Sequence, residues 1–111
     1  MMWRQVDVTK VQQQALDATV TGAYSFNDEF TLFVMRPMVL AAPYIGGQFS
    51  VLPRQLLRRG NEIADSFQRL LVEPQILAEA DPNIPGSARF LRFLGFIQPW
   101  PDINFYQRSL Q

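Results

Sequence analysis

Between Leu56 and Leu71 the apolar residues stop alternating and take up the period of a helix, and that switch limits the folds open to the chain. Leu56, Leu57, Ile63, Ala64, Phe67, Leu70 and Leu71 are separated by Arg58, Arg59, Glu62, Asp65, Gln68 and Arg69, which is one face of an amphipathic helix. Gly60 sits inside the pattern and would cost about 1 kcal/mol relative to Ala in a helix interior. The helix is therefore expected to start at Gly60-Asn61 with Asn61 as N-cap, the alternative being a start near Leu56. Pro74 closes it.

On either side of this helix the pattern is that of strands. Trp3-Arg4-Gln5-Val6 alternates and predicts a short first strand. Asp7 or Thr9 can cap a helix with apolar positions Val8, Val11, Ala15, Leu16 and Val20, ended by Gly22. After the polar turn Ser25 to Glu29, Phe30 to Met35 is rich in aromatic and β-branched residues and predicts a strand. Met38 to Ala42, bracketed by Pro37 and Pro43, predicts another, and Gly46-Gly47 a tight turn into Gln48 to Leu52. Beyond Pro74, Gln75 to Ala80 is expected as a strand and Asp81 to Gly86 as a loop. Ser87 to Leu94 is expected as a short helix stopped by Gly95, and Phe96-Ile97 with Ile103 to Arg108 as a closing hairpin.

The expected class is α+β: a mixed, mostly antiparallel sheet flanked by helices, in the order β-α-β-β-β-α-β-α-β-β. A chain of 111 residues without repeats or linkers fits one domain, and such a domain buries about two-thirds of its unfolded surface.

Composition removes whole classes of chemistry. The chain has no Cys and no His, which excludes cysteine nucleophiles, disulfides, His-based triads and Cys/His zinc sites. No loop clusters acidic residues at the spacing a Mg²⁺ or Ca²⁺ site needs. Ten basic residues balance ten acidic ones, so no net positive field draws the chain to nucleic acid. No apolar run approaches the roughly 20 residues of a membrane span, and the N-terminus lacks the order of a signal peptide. A soluble protein made in a cytoplasm is expected.

Several local sequences resemble the GNAT (N-acetyltransferase) superfamily. Asn83 followed by Ser87-Ala88-Arg89-Phe90-Leu91-Arg92-Phe93-Leu94-Gly95-Phe96 is similar to the stretch in which an Asn ends the fifth GNAT strand and a helix leads through Leu-Gly-Phe into the last hairpin. Val51-Leu52-Pro53, leading towards Arg59-Gly60, resembles the end of the fourth strand, where the cofactor loop begins. Residues 29 to 110 are closest to the GNAT-like internal virion proteins of short-tailed phages. The resemblance implies a place in the virion or the host cytoplasm, with other virion components or a second copy as partners.

In a GNAT enzyme the pyrophosphate of acetyl-CoA rests on amides at the start of the central helix, where glycines admit the phosphates and the helix end favours anions. The matching residues here are Arg54, Arg58, Arg59, Gly60 and Asn61, and the family's second glycine is missing. The alternative role for these arginines is a solvated basic face that covers apolar surface with its methylenes. The family's thiolate-protonating Tyr falls at Leu91, and Tyr106 is not at a matching place. Glu79 is the candidate general base, a role for which burial beside an apolar sheet would suit it. A surface or salt-bridged Glu79 is the competing expectation. With the phosphate loop and the acid both altered, a non-catalytic structural or interaction protein that needs no cofactor is expected. An acetyl-CoA-dependent N-acetyltransferase and a small phage effector that binds a host protein are the alternatives.

Candidate contact residues lie in two places. Pro99-Trp100-Pro101 is either an exposed anchor or a stiff turn with Trp100 over the core. Met38, Val39, Leu40 and Tyr44 belong to a segment apolar enough for a protein interface or for an inner strand. Phe90, Phe93 and Phe96 fit core or interface positions better than base-stacking ones.

Overall fold

Trp3–Val6 (β1), Thr19–Phe26 (β2), Phe30–Arg36 (β3) and Tyr44–Gly47 (β4) are followed by the helix Arg54–Leu71 (α1), then Gln75–Glu79 (β5), Ser87–Phe93 (α2) and Phe105–Ser109 (β6). This computed structural model describes residues 3–7, 19–36, 42–47 and 53–110. The class is α+β, with six strands and two helices among the described residues, and the chain divides into two compact units, residues 1–53 and 54–111.

In the first unit β1 to β4 lie side by side in chain order, each pair antiparallel. Asn27 and Asp28 turn β2 into β3 with φ of 49° and 59°, the left-handed conformation that these two residue types tolerate best. Trp3 lies 4.9 Å from Phe26 and 6.1 Å from Phe30, and the last two rings stack at 5.3 Å. Aromatic pairs at these separations add roughly 0.5–1.5 kcal/mol each beyond their buried area. Val20, Ala23 and Phe33 form a buried cluster with Val6 and Met35 against it.

The expected strands over 3–6 and 30–35 are present, and the structure corrects several neighbours. Val20 and Gly22 belong to β2 and not to the end of a helix. Three β-branched residues in succession, Thr19-Val20-Thr21, favour the strand, and the register shifts between Val20 and Gly22. The rest of that expected helix, 8–18, lies outside the described residues, as do 38–41 and 48–52. Ser25 and Phe26 are strand residues, so the turn is shorter than expected. Ala42 is not in a strand, and Gly46-Gly47 is the end of β4 instead of a turn. Gly46 pairs with Phe33, and a Cβ there would stand 2.7 Å from Phe33 Cε2. The missing side chain leaves room for the cross-strand ring, a use of glycine that sequence cannot separate from a turn.

The second unit is built on α1, packed through Leu56, Gly60, Ile63, Ala64, Phe67 and Gln68. The helix begins at Arg54, and Arg59 (φ −132°, ψ 32°) breaks it into two pieces. The expected start at Gly60-Asn61 with Asn61 as N-cap is therefore corrected: residues before Gly60 are helical and Asn61 lies inside the helix. β5 and β6 pair antiparallel from Gln75↔Ser109 to Glu79↔Phe105. Phe96-Ile97 forms no strand; Ile97 makes only a bridge to Gln107 through two 2.8 Å bonds. Ile103 and Asn104 precede β6 and are not part of it.

The two helices end in the same way. After α2 the Phe96 amide donates to Leu91 O (3.0 Å) and the Gly95 amide to Arg92 O (3.0 Å), with Gly95 at φ 96°. After α1 the Glu73 amide donates to Gln68 O (3.3 Å) and the Val72 amide to Arg69 O (3.1 Å), with Val72 at φ 55°. Both are Schellman closures, which favour glycine at the left-handed position.

At the centre of this unit lies Arg108, whose side chain is 0% exposed. Its Nε donates to Leu94 O (2.8 Å), Nη1 to Gln68 Oε1 (2.8 Å) and Asp65 Oδ1 (3.3 Å), and Nη2 to Asn61 O (3.0 Å) and Asn61 Oδ1 (2.7 Å). Gln68, also fully buried, donates from Nε2 to Glu73 O, Pro74 O and Arg108 O. A Cβ on Gly95 would stand 2.5 Å from Asn61 Oδ1 and 3.0 Å from Arg108 Nε.

Gly95→Ala therefore meets both a strained φ and the arginine's cage, and chemical denaturation should show a loss of about 2–4 kcal/mol. Val72→Gly, at a left-handed position that is 83% exposed, should instead gain up to about 1 kcal/mol.

Candidate functional site

The residues that resemble a cofactor loop all lie along the first half of α1, where the structure gives them different tasks. Arg54 and Arg58 are exposed and have no ion pair or side-chain hydrogen bond among the described residues. Arg59, at the break, bonds to Glu62 from Nε (3.1 Å) and Nη2 (2.9 Å). Both side chains are at least half exposed, so the pair adds only a few tenths of a kcal/mol.

Gly60 is buried against α2. A Cβ there would lie 2.6 Å from Leu94 Cδ2 and 2.9 Å from Phe93 Cε1. The glycine is thus the point of closest approach between two helices, and the space above its backbone is filled by the chain itself. Asn61 is held rather than capping: its carbonyl and side-chain oxygen both accept from Arg108. The break at Arg59 leaves the second helical piece to start beside this packed position.

The acid–base positions are equally separate. Leu91 is buried in α2 and Tyr106 is buried in β6 opposite Ala78. Glu79 ends β5 and is exposed, so it is not beside an apolar surface that excludes water. Glu79 pairs with Phe105 and Tyr106 with Ala78, so Glu79 and Tyr106 point to opposite faces of the β5–β6 ladder. Among the described residues no cluster of three or more carboxylates is placed to hold a metal ion, and no helix is long and apolar enough to cross a membrane.

The turn that carries Trp100 is pinned from inside. Gln98 Nε2 donates to Ile103 O (2.7 Å) and Pro101 O (3.5 Å), and the Ile103 amide donates to Trp100 O (3.3 Å). Trp100 meets Phe105 edge-on at 6.1 Å yet stays 57% exposed, with Ile97 at 61% and Ile103 at 41% on the same turn. Pro99 is half-buried and Pro101 exposed. Such a turn presents an aromatic side chain with little left to order on binding. Tyr44 is half-buried in β4, paired with Met35, whereas Met38, Val39 and Leu40 lie outside the described residues.

Sequence reasoning singled out Trp100 but not Ile97 and Ile103, which looked like hairpin strand residues. It also missed Arg108, although the alternation in β6 held the signal: Tyr106 and Arg108 share a face.

No family model matches the chain, and no curated protein or solved structure matches it.

Gly60→Val should lose about 2–3 kcal/mol of stability by forcing Phe93 and Leu94 apart, while Arg58→Ala should stay within about 0.5 kcal/mol of the parent in the same urea titration.

Proposed function

We propose that the chain is a non-catalytic, GNAT-like domain that works by protein contact, as a structural or interaction component of a phage virion or of its assembly. The observation that carries the non-catalytic part is the filling of the helix start that resembles a cofactor loop. Phe93 and Leu94 crowd Gly60, and Arg108 occupies both oxygens of Asn61. A pyrophosphate needs close approach to the backbone at that point, and Phe93 and Leu94 stand against Gly60 on its Cβ side. Leu91 at the family's acid position and an exposed Glu79 agree with this. The virion setting, and a location there or in the host cytoplasm, rest on the resemblance to internal virion proteins and are an analogy.

The pinned Trp100 turn favours a second reading, a small effector that captures a host protein. In both readings the partner is protein, with no specific nucleic-acid binding and no cofactor. The enzymatic alternative needs acetyl-CoA on Arg54, Arg58, Arg59, Gly60 and Asn61, with Glu79 as base.

Thermal unfolding with and without millimolar acetyl-CoA separates these classes. The proposal expects no change in Tm. A ligand at about 100 times its Kd stabilises by about 2.7 kcal/mol, on the order of 10 °C for a domain of this size, and a shift of that kind would restore the enzyme. Mass spectrometry of purified particles tests the setting, where stoichiometric presence is expected and absence would remove the virion role.

A further inference from the structure

The strand pairing of the second unit gives its ladder two distinct faces. In β6, Tyr106 and Arg108 point one way, with Ala78 and Ile76 opposite them in β5. Arg108 bonds there to Asn61, Asp65 and Gln68 of α1 and to Leu94 at the end of α2, so α1 lies on that face. Phe105 and Gln107 point the other way. Glu79 stands directly across from Phe105, and Ile97 bridges Gln107 along the edge of β6 away from β5. Side chains of directly opposed residues share a face, so Glu79, Phe105, Gln107 and Ile97 belong to one surface. Trp100 joins it, its ring edge-on to Phe105 at 6.1 Å. Ile97 is 61% and Trp100 57% exposed, while Glu79 is exposed and Phe105 half-buried.

The charge on this surface has one sign. Glu79 and, within the turn, Asp102 are exposed and have no ion pair or side-chain hydrogen bond among the described residues. Every arginine of the unit belongs to α1, to α2 or, at Arg108, to the opposite face of β6.

We propose that this face, formed by Glu79, Ile97, Trp100 and Phe105 with Asp102 in its turn, docks a cationic protein segment whose basic residues alternate with apolar ones. The inference deepens the reading of the domain as one that works by protein contact, and rests on it. Charge complementarity sets the sign of the partner. The open Trp100 ring attracts a guanidinium or ammonium through its quadrupole, the same sign of charge that the carboxylates select. Apolar residues of the segment would cover Ile97 and the open side of Phe105. Glu79 and Asp102 repel a phosphate backbone and an anionic bilayer alike, which favours protein over either. The bonds from Gln98 to Ile103 and from Ile103 to Trp100 hold the turn in place beforehand, so little ordering is lost on binding.

The test uses the full chain and a fluorescein-labelled peptide of repeated Arg-Leu-Arg-Phe, with its Gln-for-Arg counterpart and vesicles of phosphatidylcholine and phosphatidylglycerol as controls. Fluorescence anisotropy should show binding of the cationic peptide, little binding of the Gln peptide, and weakening when salt rises from about 50 to about 500 mM. Trp100→Ala should weaken binding by about tenfold or more, as should Glu79→Lys with Asp102→Lys, and Ile97→Gln by a few-fold. Glu79, Ile97 and Asp102 are exposed, so the Tm of those variants should stay within about 2 °C of the parent. Should Trp100→Ala melt earlier through its lost contact with Phe105, Ile97→Gln and the charge reversal carry the same readout. Binding that the charge reversal leaves unchanged, equal binding of the Gln peptide, or no binding of the cationic peptide overturns the proposal. Sedimentation with the vesicles, lost in Trp100→Ala, replaces it with a membrane surface. A rise in Tm with acetyl-CoA would overturn the non-catalytic reading and this one with it. Absence of peptide binding without any such rise would overturn this one alone.

Discussion

A guanidinium group is expensive to remove from water, and in this chain one is removed completely. The Arg108 side chain has no exposure, and the effective cost of burying such an ion is several kcal/mol. It is offset only because all five N–H groups reach an acceptor: Leu94 O, Gln68 Oε1, Asp65 Oδ1 and both oxygens of Asn61. Asp65, itself bonded to Arg69, supplies the opposing charge. Among the described residues no buried side-chain nitrogen or oxygen lacks a partner. The acceptors sit on α1, on the C-cap of α2 and, through Gln68, on the turn between α1 and β5, so one side chain of β6 sets the relative placement of four segments. The left-handed Gly95 and the close approach at Gly60 are conditions for that cage. A side chain at Gly95 would enter it, and one at Gly60 would push α2 away.

Much of the architecture was legible because it rests on local chemistry. Phe30 to Met35 and the period of Leu56 to Leu71 predicted a strand and a helix that are present, and Gly95 predicted the end of α2. The errors came where a residue serves a partner distant in sequence. Gly46 looks like a turn residue until Phe33 is found lying over it. Thr19-Val20-Thr21 was drawn into a helical pattern by apolar spacing upstream, although its β-branched side chains favour the strand that it forms. The helix was expected to start at Gly60-Asn61, but it begins at Arg54, and the segment before Gly60 buries Leu56.

The candidate site was legible only as a set of residue types. Arg54, Arg58, Arg59, Gly60 and Asn61 are consecutive enough to suggest one anion site, yet each is assigned by its surroundings: two arginines to solvent, one to Glu62, the glycine to Phe93 and Leu94, and the asparagine to Arg108. Spacing along the chain carries no information on which neighbour arrives from 40 residues away. Trp100 stood out because its prolines are local, with an exposed anchor and a turn over the core as equal alternatives, while the support that Gln98 gives the turn depends on Ile103 folding back. The second unit thus keeps an interior tied by polar bonds and turns several apolar side chains and arginines outward.

The most direct test of this account is a double-mutant cycle between Gln68→Met and Arg108→Met, read by urea denaturation. Each substitution alone leaves buried polar groups without partners and should cost about 3 kcal/mol. If the cage is one cooperative unit, the double variant should cost less than the sum, with a coupling energy of about 1–3 kcal/mol. Losses that add to within about 0.5 kcal/mol would contradict it, because Arg108 and Gln68 would then stabilise the unit independently.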